Sequence, residues 1–359
     1  MTFPSKFDDI KVSTHAFVVP TNNLEVDLEK MFELLPVPNI TIPSHLKKRD
    51  AIEDFIFSLG LEPGTFLRLE YKQNIRGISS LKRVKKKSVR SVCVACSSYI
   101  NSSSLNTCNT CSTRSFCSTC GSCVTCNPDS SCNSCNTCRA CKHCHVKQKY
   151  FRNAVTIVMT IPSKLVNFKV PRKGKIQITG CKSEDNAIQC IQLFWDALRK
   201  LGSSCYTLPS GSLEATLRMV MTNKNFKCGF FINREKLDKY INMHTHFRSL
   251  LELSVGYTGA NIKLPFSQKN IPLTTLTCDQ NGNWNKGSIL YHDYLDTLSV
   301  KDRKKEEETR YNSFLVFHSG TAIMSGMMPE YMKDAYNQFT SIIHEARDCI
   351  EEKLVQPTF

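Results

Sequence analysis

One order of elements occurs twice in this chain, and a duplicated α/β unit restricts the possible fold more than any single motif does. In the first occurrence, NAVTIVMTI (Asn153 to Ile161) and LVNFKVP (Leu165 to Pro171) are rich in β-branched and aromatic residues and read as strands joined at Pro-Ser-Lys. A tight turn at Arg172 to Gly174 leads into a third strand, KIQITG, Lys175 to Gly180. Ser183 then stands as an N-cap with acids behind it, opening a helix whose Ile188, Ile191, Phe194, Trp195 and Leu198 form one apolar stripe. The second occurrence has YNSFLVF (Tyr311 to Phe317) as a strand, His318 to Gly320 as the turn and TAIMSGM as the next strand. A helix follows from Pro329 toward Leu354. Upstream, VVPTNNLEVDLEKMFELL near Val18 corresponds to MVMTNKNFKCGFFINREKLDKYI near Met219. Each reads as a strand carrying an Asn before an apolar residue, Asn23-Leu24 and Asn225-Phe226, and then a short helix. The two copies span roughly 8 to 205 and 212 to 354.

A chain of 359 residues buries a core without covalent staples. No run approaches the roughly 18 apolar residues that cross a bilayer, and the start MTFPSKFDDI lacks the apolar centre of a signal peptide. The expectation is a protein away from membranes, inside a cell or particle where thiols stay reduced, which argues against a disulfide framework.

What interrupts the first copy is a segment of different chemistry. Residues 82 to 152 carry 12 Lys or Arg against one acid, Asp129, while the remainder holds 35 basic and 31 acidic residues, so most of the net charge of +15 belongs to this segment. Its densest run, KRVKKKSVR (Lys82 to Arg90), suits phosphate, a nuclear address or a solvated linker. Of the 19 cysteines, 13 lie here: Cys93 and Cys96; Cys108 and Cys111; Cys117, Cys120, Cys123 and Cys126; Cys132, Cys135, Cys138, Cys141 and Cys144. Two C-x-x-C turns bring four thiolates to one tetrahedral ion, so zinc is the expected cofactor, with Cys93/Cys96 and Cys108/Cys111 as the most ordinary pairing. The overlapping triplets beyond do not say which sulfurs pair, and a polar, weakly metal-binding tract is the competing reading. The six scattered cysteines, Cys181, Cys190, Cys205, Cys228, Cys278 and Cys349, read mostly as small buried hydrophobes.

The segment KGKIQITGCKSEDNAIQCIQLFWDALRKLG resembles the strand-turn-strand-helix hallmark of TATA-box-binding proteins, and FLVFHSGTAIMSGM is similar to the matching turn of their second repeat. Divergence with long insertions looks most like the TATA-binding-protein-like factors of large DNA viruses. The resemblance implies an α+β saddle: two pseudo-symmetric repeats forming one curved antiparallel sheet, helices on the convex face, and here a Cys-rich insertion. The first repeat would be 8–81 with 150–205, the insertion 82–149, and the second repeat 212–354, carrying a hairpin insertion at about 267–310 that reads as an exposed arm.

The resemblance further implies A·T-rich double-stranded DNA as ligand, bound and bent through the minor groove, with general transcription factors or RNA polymerase components as protein partners. It implies a monomer, since the duplication already supplies the twofold. Location would be the host nucleus, a cytoplasmic viral factory or the virion. Carried over residue by residue, Phe317, three before Gly320, stands where the family has a wedge Phe. Tyr257, before Thr258 and Gly259, stands where it has Phe-Pro-Gly. In the first repeat the wedge position is Pro171, a departure, and its partner falls near Ala154, with Phe151 the closest aromatic. Asn23 and Asn225 align with the asparagines at the centre of the site, Lys175 with the lysine after the turn glycine, and Thr179 with the threonine of the Thr-Gly stretch. The plainer readings are a turn Asn and a core Phe.

Two other functions compete with DNA binding. A scaffold keeping the fold but binding proteins is favoured by Pro171 and by the near-neutral body. An enzyme is disfavoured: no H-E-x-x-H, phosphate loop or G-x-S-x-G is present, and M-H-T-H at Met243 to His246 reads as a polar helix end.

Overall fold

A computed structural model of the chain describes residues 6–46, 48–81, 91–92, 99–100, 153–251, 259–267 and 269–353. Two compact units divide it, one formed by residues 1–81 with 151–359 and the other by 82–150. The cysteine-rich segment is thus a separate unit inserted between two parts of the other. Within it, β5 (Ser91–Val92) pairs antiparallel with β6 (Tyr99–Ile100).

The larger unit opens with β1 (Val12–Val19), β2 (Glu25–Val26), α1 (Leu28–Leu34), α2 (Arg49–Ser58), β3 (Phe66–Tyr71) and β4 (Asn74–Gly77). After the inserted unit come β7 (Ala154–Ile161), β8 (Lys164–Pro171), β9 (Ile176–Cys181), α3 (Glu184–Lys200) and β10 (Tyr206–Thr207). The later part holds β11 (Leu213–Thr216), β12 (Arg218–Lys227), α4 (Arg234–His244), β13 (Arg248–Leu250), β14 (Gly259–Phe266), β15 (Pro272–Cys278) and β16 (Trp284–Leu290). It ends with α5 (Tyr291–Asp296), α6 (Val300–Glu306), β17 (Arg310–Phe317), β18 (Thr321–Gly326), α7 (Pro329–Glu345) and α8 (Arg347–Ile350).

Eleven of these strands form one sheet in the order β13-β14-β17-β18-β12-β1-β9-β8-β7-β3-β4, with antiparallel pairing throughout. From the central β1/β12 pair outward, one half runs β1-β9-β8-β7-β3 and the other β12-β18-β17-β14-β13. In both, the last strand before the long helix pairs with the first strand of its half. Strand alternation sends one set of side chains to the helices. Phe17, Ile157, Phe168 and Ile178 pack on Cys190, Phe194 and Trp195 of α3, with Phe168 and Phe194 edge to face at 5.3 Å. Phe226, Ile262, Phe314 and Met324 pack on Tyr336, Phe339 and Ile343 of α7. In α3 the cap differs from the sequence expectation: Ser183 is the N-cap but makes no side-chain bond, and Asn186 Oδ1 accepts from the Lys182 amide instead.

Both hairpin turns singled out in the sequence depend on glycine. Gly174 and Gly320 have φ of 59° and 73°, and a Cβ would lie 2.3 Å from Thr21 Oγ1 in the first and 2.0 Å from the Phe230 carbonyl oxygen in the second. Only glycine fits a left-handed turn pressed this closely onto its neighbour.

Three expectations are corrected. The last helix does not run on to Leu354: α7 stops at Glu345 and α8 at Ile350, because Ile350 O accepts from the Asn233 amide and Glu351 bridges to Ile232. The 267–310 segment is not an exposed arm. Its β15 and β16 join β11 in a three-stranded sheet, Leu276 and Cys278 enter the core beneath α3, and Trp284 Nε1 donates to Asp196 Oδ1 at 3.2 Å. Finally, the helices do not all lie on one face. Ile52 and Ile56 of α2 pack with Leu67, Val158 and Leu165, which point away from α3. These Leu and Val residues fall at alternation positions that polar residues fill elsewhere, so the apolar stripe of α2 has a place to bury.

Candidate nucleic-acid interface

The sheet face turned away from α3 and α7 is built in rows by the register. Beside the central pair, Val18 aligns with Gln177, Lys169, Thr156 and Glu70, and Ala16 with Thr179 and Asn167. On the other side Thr14 aligns with Asn223, Ser325, Ser313, Lys263 and Arg248. The next row there is Asn225, Ile323, Leu315, Asn261 and Leu250. Amides and hydroxyls interleave with half-exposed aliphatics, and Met221 lies beside Ala16, 37% exposed. Glu70 is the one carboxylate in these rows, and Arg68, itself buried, holds it at 2.7 Å. The other charges of these rows, Lys169, Lys263 and Arg248, are positive, as is Lys227 in the row beyond, opposite Thr321. Burial, opposed by Glu70, pushes the Lys169 ammonium below its ordinary value. Among the described residues, α2 covers this face toward the β7–β8 turn, where Val158, Thr160 and Leu165 lie buried.

Asn225 and Thr179 lie on this face, both exposed, with Thr179 Oγ1 donating to the Asn167 carbonyl at 3.2 Å. Phe317 ends β17 half-buried on the same face, opposite Gly259. The matching pair in the other half is Ala154 opposite Pro171, so no aromatic stands at that strand end among the described residues. Lys175 is exposed just after its turn; the Asp302 carboxyl, lowered chiefly by its hydrogen bond from Ser299, is lowered further by the Lys175 charge.

Asn23 is not on the sheet. It sits in the bend after β1 with φ of 48°, exposed, as a turn asparagine does. Its neighbour Asn22 ties that bend down, donating to Ser210 Oγ and accepting from the Glu214 amide. Asn223 takes the central place instead. It pairs with Thr14, its backbone carbonyl accepts from Ser13 Oγ at 2.9 Å, and its buried Oδ1 has no hydrogen-bond partner among the described residues. The alternation of M-V-M-T-N-K-N-F-K places residues 221, 223, 225 and 227 on one face, and this was the available signal for Asn223.

Phe151, Tyr257 and the cysteines from Cys93 to Cys144 lie outside the described residues. Of the six others, five are buried and Cys349 is exposed. Burial pushes the Cys228 thiol up to about 12 and that of Cys181 to about 11, which suits packing and opposes ligation. Among the described residues no group of three or more metal-ligating side chains converges. His244 ends α4 with its ring against Tyr240, as a polar helix end. No described helix is long and apolar enough to cross a membrane.

No family model matches the chain. "Uncharacterized protein 335L" of Invertebrate iridescent virus 6 is 28% identical over 213 residues, 57% of this chain. The chain covers 63% of that relative's length, so the likeness leaves more than a third of it unmatched. Among solved structures, Methanococcus jannaschii TBP overlaps 53% of this chain and 78% of its own, at 16% identity and a TM-score of 0.32. The chain is thus similar in part to an uncharacterized protein of Invertebrate iridescent virus 6 and, at low overlap, to the Methanococcus jannaschii TBP.

Proposed function

We propose that the larger unit is a duplicated, saddle-type DNA-binding domain that takes A·T-rich duplex in the minor groove and serves transcription initiation. The observation that carries this reading is the chemistry of the open sheet face. An amide such as Asn223 or Asn225 donates to adenine N3 and thymine O2 without demanding a base-pair orientation, and the aliphatics beside them suit sugar edges. The described strand rows of this face hold one carboxylate, itself ion-paired, so these rows meet phosphates with little repulsion. The matching strand order of the two halves and the paired glycine turns support the duplication.

A titration of labelled 20-base-pair duplexes with the full chain tests the reading. The expected result is a preference for A·T-rich over G·C-rich duplex. If Lys169, Lys227, Lys263 and Arg248 each meet one phosphate, log K falls against log salt with a slope of about −3 to −4. A steeper slope assigns further contacts to the basic segment at 82–150. Equal binding of both duplexes sinks minor-groove reading. It would favour the protein scaffold, for which α2 on the face and the Ala154/Pro171 pair already speak.

For the inserted unit the proposal is zinc held by pairs drawn from Cys93 to Cys144, with general transcription factors or polymerase components as its partners. Spacing supports it, together with the pairing of β5 with β6 across the residues that include Cys93 and Cys96. Elemental analysis of purified protein should give at least one zinc per chain, and a chain without zinc that keeps its fold overturns this.

A further inference from the structure

At the C-terminal end of β14 two clefts adjoin, of about 500 Å³ and 230 Å³, and Pro265, Phe266 and Ser267 line both. The larger runs between these residues, α5 and the end of α6. The smaller lies against the first turns of α7. In a chain of net charge +15, this is where carboxylates gather: Glu306, Glu307 and Glu308 line the larger cleft, Glu330 and Asp334 the smaller. Glu306 is committed to structure, bonded to Arg218 and Arg310. Glu307 and Asp334 have exposed partners, Arg303 at 3.0 Å and Lys269 at 4.0 Å, while Glu308 and Glu330 have no ion pair among the described residues.

Acids alone make no site, but each cleft also has a buried polar group without a partner. Tyr291 is 2% exposed and lines the larger cleft, and its hydroxyl has no hydrogen-bond partner among the described residues. Asn312 is fully buried and lines the smaller one; its Nδ2 donates to the Tyr331 carbonyl while Oδ1 accepts nothing described. An orphaned buried oxygen has given up its water without a replacement, and a donor entering the cleft supplies one. Between the two, Phe266 stacks on Tyr331 at 4.9 Å, offering aromatic surface to a cation.

We propose that these joined clefts are a docking groove for a lysine-rich peptide segment of a partner protein. Ammonium groups are donors without acceptors, so they satisfy the Tyr291 oxygen and the carboxylates together. The side-chain stems have Pro265, Phe266 and Leu295 to cover. The same carboxylates repel phosphate, which separates this groove from the open sheet face. The assignment does not depend on DNA binding there.

The test is fluorescence anisotropy of a fluorescein-labelled penta-lysine amide with the full-length protein, beside the same peptide bearing N-acetyl-lysines. Glu307 and Glu308 are exposed, so Glu307→Gln with Glu308→Gln leaves the fold intact, and binding should weaken tenfold or more. Tyr291→Phe, which removes only the unpartnered oxygen, should weaken it a few-fold, and Glu235→Gln on α4 should leave it unchanged. Three results would overturn the groove: groove variants that bind as the unaltered protein does, an acetylated peptide that binds equally, or a Glu235→Gln effect as large as theirs. Spermidine that competes at equal ammonium concentration, without preference for the peptide, would overturn the peptide assignment.

Discussion

Replacing Phe314 by alanine is expected to lower the stability of the larger unit by about 3–5 kcal/mol, the cost of emptying a buried aromatic site. Phe314 is fully buried in the middle of β17, and its ring stacks on Phe339 of α7 at 4.1 Å, with the planes 5° apart. Phe339 also meets Phe226 of β12 at 6.0 Å, so the cavity would open where β12, β17 and α7 come together. Neighbouring side chains are held by two strands and a helix and relax little into the space, which places the loss toward the upper end of that range. Denaturant unfolding followed by circular dichroism measures it. A loss below about 1 kcal/mol would mean that α7 is not packed on this sheet as described.

The elements legible in the sequence were those whose signal is local. The strands at 154–161 and 164–171, the two glycine turns and the start of α7 all follow from alternation, β-branching or a Pro at a first helical turn. What the sequence withheld is which surface each element meets. Val155, Ile157, Val158, Met159 and Ile161 read as one apolar run, but Val158 faces α2 while the others face α3. An apolar residue breaking alternation signals a second buried face without naming its cover.

Asn223 and Asn225 share a parity, and a period of two cannot say which sits beside β1. The irregularities in the β1–β12 register between Val12 and Thr14, and between Ala16 and Phe17, decide that. Asn23 misled because an Asn before an apolar residue looks the same in a strand and in a bend. Pro20 three residues earlier was the local evidence that the strand had ended. The 267–310 segment announced its hairpin through Asn281-Gly282, yet its return to α3 rests on Leu276, Cys278 and Trp284, contacts of long sequence separation.

Phe317 lies three residues beyond Phe314 on the same strand, and that odd spacing puts it on the opposite face, so the two substitutions should have opposite signatures. Phe317→Ala removes a half-buried ring at a strand end, with Gly259 opposite offering no side chain to pack on it, and should cost no more than about 1 kcal/mol of stability. If the open face binds the minor groove, the same change deletes an aromatic at the strand end, placed to enter a base step. Affinity for A·T-rich duplex should then fall by about 2 kcal/mol, roughly 30-fold, with a smaller bend. Energy transfer across an end-labelled duplex reads the bend, and anisotropy reads the affinity. The effect should be confined to one end of the site, because Pro171 opposite Ala154 has no ring to lose. A Phe317→Ala protein that binds and bends as before would remove the wedge. One that loses several kcal/mol of stability would return Phe317 to the core, against the alternation that puts Phe314 there.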